Sequence, residues 1–115
     1  IVGGCKAVIA EAVQLAINSG IDPLRLPEAF EGGRADSSLL RQSVPKMASG
    51  DFSPTGHLRT IMKDLDMVLD LARATRTPMP MTALSAELHR MMMARGHAEA
   101  DTTSVIALLR DRPLL

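Results

Sequence analysis

Tryptophan and tyrosine are absent from this 115-residue chain, and Phe30 and Phe52 are its only aromatic residues. Without rings on which bases stack, binding of single-stranded nucleic acid is disfavoured. An excess of charge of one sign is missing too. The 13 Lys and Arg residues stand against 13 Asp and Glu, a formal net charge of zero, so no basic surface is available to neutralise a phosphate backbone. No nucleic-acid partner is expected. Long apolar runs are lacking, each being broken by a charge or a Gly before the roughly 18 residues a membrane span requires. The single cysteine, Cys5, can form no internal disulfide, which suits a reducing cytoplasm. No stretch alternates apolar and polar residues for more than a few positions, so no strand is read.

What remains is helical. At 46% apolar the chain can bury a core of its own, and residues 1–115 are read as a single all-α domain. Residues 1–18 are apolar nearly all the way round, stop at Asn18-Ser19-Gly20, and predict a helix buried on most sides. That helix starts without a capping residue, as expected of a chain cut inside a longer helix. Gly3 and Gly4 each cost it roughly 1 kcal/mol relative to Ala, which predicts a neighbour packed close against them. A short helix is expected near Pro27 to Phe30, and Ser37 or Ser38 caps another that carries Leu39, Leu40, Val44 and Met47, with Pro45 limiting or bending it. The longest amphipathic stretch runs from about Gly56 to Thr75, with Leu58, Ile61, Leu65, Val68, Leu69 and Ala72 on one face. Arg59, Lys63, Asp66, Asp70 and Arg73 lie opposite. After the extended linker Thr77-Pro78-Met79-Pro80, a helix runs to Arg95 and Gly96, and Asp101 caps a last one that ends at Arg112-Pro113.

Few of these residues advertise chemistry. Ile1-Val2-Gly3-Gly4 matches the mature start of trypsin-like proteases, but that fold needs two β-barrels and about twice this length. His57, His89 and His97 have no helical partner ligand at the spacing a metal site needs, and no metal is expected. His89 with Glu87, or His97 with Glu99, reads as a solvated pair. Met79, Met81 and Met91 to Met93 read as core filling, and Cys5 as an inert buried thiol. From the residues alone, Lys63 is a helix-surface ammonium paired with Asp66 or Asp70. No glycine-rich phosphate loop, nucleophile with a base, or carboxylate dyad occurs.

Taken in order, Ala10-Glu11-Ala12 with Leu15-Ala16, Gly20-Ile21-Asp22, Met47 with Gly50-Asp51-Phe52 and Pro54, Lys63-Asp64-Leu65, Pro80 with Thr82-Ala83-Leu84, and Gly96 with Asp101 and Ser104 form a pattern. It resembles the helical C-terminal domain of the 3-hydroxyisobutyrate dehydrogenase family, the β-hydroxyacid dehydrogenases related to 6-phosphogluconate dehydrogenase. The likeness covers nearly the whole chain. It implies an orthogonal multi-helix bundle, joined in the full enzyme to an N-terminal Rossmann domain that holds NAD or NADP.

The resemblance further implies that the family's catalytic Lys and Asn lie ahead of Ile1, so that no catalytic residue falls within this chain. Lys63 matches the family's second Lys, which reaches the cofactor near the nicotinamide end, with Asp64 following it. Many members carry Gly-Phe shortly before that step, the Phe near the substrate, where Thr55-Gly56-His57 stands here. The expected function is that of the substrate-side, dimer-forming domain of an NAD(P)-dependent dehydrogenase, inactive without its Rossmann domain. Its substrate would be a small 3-hydroxy acid such as 3-hydroxyisobutyrate, a threonate-like acid or the tartronate semialdehyde couple. Its partners would be that Rossmann domain and a second copy, as homodimer or higher. The alternative is a free-standing helical interaction module without catalysis.

Overall fold

A cap that is missing and a cap that is present mark the starts of two of the helices. The computed structural model describes residues 1–110. The first helix, α1 (Val2–Asn18), starts at Ile1 with no side-chain cap, whereas α3 (Ser38–Ser49) starts at Ser37, whose hydroxyl accepts from the Leu40 N–H. Between them lie a 3₁₀ turn (Pro23–Arg25), capped by the Asp22 carboxylate, and the short α2 (Leu26–Phe30). Pro45 sits inside α3 without ending it. Pro45 and Arg41, whose carbonyl loses its N–H partner, are both exposed, where water can satisfy that carbonyl. Gly50 then closes α3 at φ 73°, a left-handed conformation that Gly adopts without strain.

The long amphipathic helix is α4 (Leu58–Thr75), followed by α5 (Pro80–Ala94) with Pro at its first position. The last element, Thr102–Leu109, is a 3₁₀ helix rather than the α-helix its pattern suggests. Asp101 starts it by accepting from the Thr103 N–H while its carbonyl accepts from Ser104, an i to i+3 bond. The β-branched Thr102, Thr103, Val105 and Ile106 lower the α alternative. Its expected end at Arg112-Pro113 lies outside the described residues. No strand occurs among the described residues, and the only bridge pairs His57 with Asp101.

The main core forms where α1, α3 and the closing 3₁₀ helix meet, from Ile9, Ala10, Val13, Leu40, Val44, Met47, Val105 and Ile106. Two smaller clusters seat α4: Leu58 with Met92 and Ala107, and Met62 with Leu65 and Ala86. Met62 is buried on α4 while Val68 is exposed, so the apolar face is rotated slightly from the one the spacing picks out. The methionines divide similarly. Met92 is fully buried, Met93 half-buried, and Met81 and Met91 are exposed.

Gly3 meets its close neighbours: a Cβ there would lie 3.0 Å from Ser85 Oγ on α5 and 3.3 Å from Ile61 Cδ1 on α4. Gly4 faces nothing within 4 Å, so only one of the pair serves a close approach. The chain buries one side of α1, through Gly3, Ile9, Ala10, Val13 and Ala16, and leaves Val2, Val8 and Leu15 exposed. That corrects the expectation of a helix covered on most sides. Cys5 is likewise exposed, not buried, because it falls on the same uncovered side.

Candidate functional site

Lys63 lies on the solvent face of α4, its side chain 64% exposed, with Leu65 and Met62 on the opposite face pinning the helix to α5. Its ammonium pairs with Asp64 at 3.2 Å, not with Asp66 or Asp70. Asp70 instead pairs with Arg73, and Asp66 with Arg90 at 3.4 Å, because α5 supplies a competing guanidinium. Arg90 also takes Glu87 at 3.1 Å. Exposed pairs of this kind contribute about 0 to 1 kcal/mol each, so Lys63 can exchange Asp64 for another oxygen at little cost.

One turn earlier on the same face, the Arg59 Nε–H donates to Glu99 Oε1 at 2.7 Å. His57 Nδ1 lies 3.2 Å from the Glu99 carbonyl and 3.5 Å from its carboxylate. Glu99 therefore serves His57 and Arg59, not His97. The first N–H groups of α4 are also taken. Leu58 donates to Ala100 O at 2.9 Å, Arg59 to Ala98 O at 3.0 Å and Thr60 to His57 O at 3.0 Å. No open helix N-terminus is left there for a phosphate. This face thus offers one accessible ammonium, Lys63, and no open helix N-terminus.

Behind this face stands a buried carboxylate. Asp101 is 0% exposed. Its Oδ1 accepts from the Thr55 N–H at 2.8 Å, the Thr55 hydroxyl at 2.9 Å and the Gly56 N–H at 3.3 Å, and its Oδ2 from the Thr103 N–H at 3.0 Å and the Thr103 hydroxyl. Burial alone would raise its pKa, but the bonds from Thr103 and Thr55 outweigh it and hold the carboxyl well below the usual range. The half-buried Lys6 reaches across from α1 to donate to the Thr102 hydroxyl. Burial pushes the Lys6 ammonium down and the neighbouring Asp101 charge partly restores it. In the sequence Asp101 reads only as a helix cap, since its grip on Thr55 spans 46 residues. The one signal for Lys6 is that it is the single basic residue of a mostly apolar helix whose only other charge is Glu11.

His89 is fully buried rather than solvated beside Glu87. Its Nδ1–H donates to the Ser85 carbonyl at 2.7 Å, and burial is the largest cause of a pKa below the ordinary value. Among the described residues, no group of three or more His, Cys, Asp or Glu side chains could hold a metal ion, and no helix is long and apolar enough to cross a membrane. The larger surface hollow, about 590 Å³, lies at the far end of α4, against Leu69, Ala72, Arg76 and Met79, and belongs to a different region from Lys63.

Known proteins match this chain over nearly its whole length. The family described as NAD-binding of NADP-dependent 3-hydroxyisobutyrate dehydrogenase matches residues 1–109. An L-threonate dehydrogenase of Cupriavidus necator is 32% identical over 102 residues, covering 89% of this chain and 34% of that protein. The mitochondrial 3-hydroxyisobutyrate dehydrogenase of Mus musculus is 36% identical over 109 residues, covering 89% of this chain and 32% of its own length. The crystal structure of a 3-hydroxyisobutyrate dehydrogenase from Salmonella typhimurium superposes with a TM-score of 0.85 at 25% identity, over 93% of this chain and 38% of that one. The chain spans about a third of the length of the curated relatives it matches.

Proposed function

Because this chain belongs to the 3-hydroxyisobutyrate dehydrogenase family, we propose that it is the helical domain of an NAD- or NADP-dependent dehydrogenase acting on a small 3-hydroxy acid. Residues 1–115 form its substrate-side and dimer-forming unit. The observation that carries this reading is the exposed Lys63 ammonium on a helix fixed from behind, with only the adjacent Asp64 to release. A bound NAD or NADP supplies the hydride acceptor. Lys63 would donate charge-assisted hydrogen bonds to oxygens of that cofactor, with α4 holding its position. Neither a glycine-rich loop nor an open N-terminus of α4 is present for the pyrophosphate, which supports binding of most of the cofactor by a separate Rossmann domain. The 115-residue chain by itself would then be inactive. The substrate range covers 3-hydroxyisobutyrate, threonate-like acids and the tartronate semialdehyde couple. The lone cysteine supports a cytoplasmic setting.

Steady-state kinetics on the full-length Lys63→Ala enzyme, with thermal melting alongside, test the assignment. Loss of the charge-assisted contacts is expected to lower kcat/KM roughly ten- to a hundredfold while the melting temperature holds. Unchanged kcat and cofactor KM in a folded variant would defeat it and favour the non-catalytic interaction module.

A second copy is the partner proposed for the uncovered apolar side. Val8 and Leu15 on α1, Leu84 on α5 and Leu109 are exposed. Between these elements runs an apolar groove of about 230 Å³, lined by Ala7, Ala10, Leu88 and Leu108 among others. Sedimentation of the full-length protein is expected to give a dimer or larger species. Introducing Leu84→Glu should shift it toward monomer, and a monomeric parent at high concentration would overturn the assembly.

A further inference from the structure

The segment that leads into α4 is held far more firmly than its exposure suggests. Thr55 and Gly56 lie on the surface, yet three of their polar hydrogens converge on one oxygen of a carboxylate that has no contact with solvent. Four backbone bonds run alongside. Asp101 N–H donates to Phe52 O at 3.0 Å, Thr102 N–H to Gly56 O at 3.1 Å, and Leu58 and Arg59 donate back to Ala100 and Ala98. A buried carboxylate is tolerated only when its lone pairs are filled, and here five donors fill them from both sides of the junction. Lys6, bonded to the Thr102 hydroxyl, brings α1 to the same point and supplies the counter-charge.

From this junction we infer that Asp101 is a positioning residue for Lys63, acting through its grip on Thr55 and Gly56; the inference rests on the cofactor-facing role proposed above for Lys63. A helix is stiff, so the direction in which a side chain points is set at the two places where the helix is fastened. The flank of α4 beyond Lys63 is fastened by Met62 and Leu65 against Ala86 on α5. Its start is fastened by the Leu58 contact, by the backbone bonds of Leu58 and Arg59 to Ala100 and Ala98, and, through Thr55 and Gly56 just ahead of it, by Asp101; Lys63 lies only five residues, about 8 Å, further along the axis. Leu58 packing restrains separation but is tolerant of rotation. The directional bonds to Asp101, together with those of Leu58 and Arg59 to the segment just before it, fix rotation and tilt, and a shift of about 1 Å at a cofactor-contacting group costs up to 100-fold in rate. Both carboxylate oxygens are needed: Oδ1 holds the loop and Oδ2 holds the closing helix, so one side chain sets the two against each other.

Thr55 gives the cleanest test, because it is exposed and its hydroxyl can be removed without opening the core. In the full-length enzyme Thr55→Val is expected to raise the cofactor KM roughly three- to tenfold, with kcat within about twofold of the parent and the melting temperature lowered by only a few degrees, since the Thr55 and Gly56 N–H groups still fill the Asp101 oxygen. Thr55→Ser, which restores the hydroxyl, should return KM to the parent value. In a Lys63→Ala background the Thr55→Val change should have no further effect, because the residue it positions is gone. An unchanged KM in Thr55→Val, or the same rise in both backgrounds, overturns the inference and leaves the Lys63 assignment standing. A kinetically silent Lys63→Ala overturns both together.

Discussion

Asp101→Ala is expected to destabilise the fold by about 3 to 5 kcal/mol, more than any other single polar change in the chain. It strands the buried Thr103 N–H and hydroxyl at once and releases Thr55 and Gly56 from the start of α4. Urea unfolding at neutral pH measures the loss. A change below about 1 kcal/mol would mean that water replaces the carboxylate, which its complete burial argues against. The same group predicts an acid response of definite sign. Its folded pKa is depressed, so its contribution is fully present above the unfolded carboxylate value of about 3.9 and is lost as pH falls below that range. The parent should therefore lose stability more steeply than Asp101→Asn between roughly pH 4 and pH 2.

Ile106→Ala should cost about 3 to 4 kcal/mol by a different route. Ile106 is fully buried in the cluster that joins α1, α3 and the closing 3₁₀ helix. The segment Thr102–Ala107 is buried on every side, so no neighbouring loop is free to collapse into the cavity. Val68→Ala, on the exposed flank of α4, removes comparable chemistry and should cost under about 0.5 kcal/mol. Denaturant midpoints for the two variants separate packing from mere apolar loss. Near-equal costs would show that the core is looser than its burial implies.

Local signals carried most of the fold. The Ser37 cap, Pro80 at the start of α5 and the span of α4 are decided within a few residues, and each falls close to where the sequence places it. What was misread depends on partners far along the chain. His89 beside Glu87 has the composition of a surface pair, but its fate is set by Gly3, 86 positions earlier, whose missing side chain lets α1 close over it. Cys5 reads as core because α1 is apolar throughout, and periodicity cannot tell which of two apolar sides a chain will cover. Lys63 is singled out only by its place in the Lys63-Asp64-Leu65 pattern, since nothing in its immediate charge environment distinguishes it from a solvated surface lysine. Asp101 was legible as a cap and illegible as a clamp for the same reason: one oxygen serves a neighbour two residues away, the other a loop 46 residues back.

The meeting of α1 with the closing 3₁₀ helix has a consequence for the chain as it is made. Lys6 bonds to Thr102 and Gln14 to Arg110, each pair 96 residues apart, and both elements contribute to the same core. As the ribosome releases residues in order, α1 emerges early with two apolar sides, and the surface that covers one of them arrives only with the last part of this segment. Until then Ile9, Val13 and their neighbours are covered only in part, by α3, and loop closure over such a span is entropically slow. Completion of the core, and with it the cooperative folding of this segment, is therefore a late event in its synthesis.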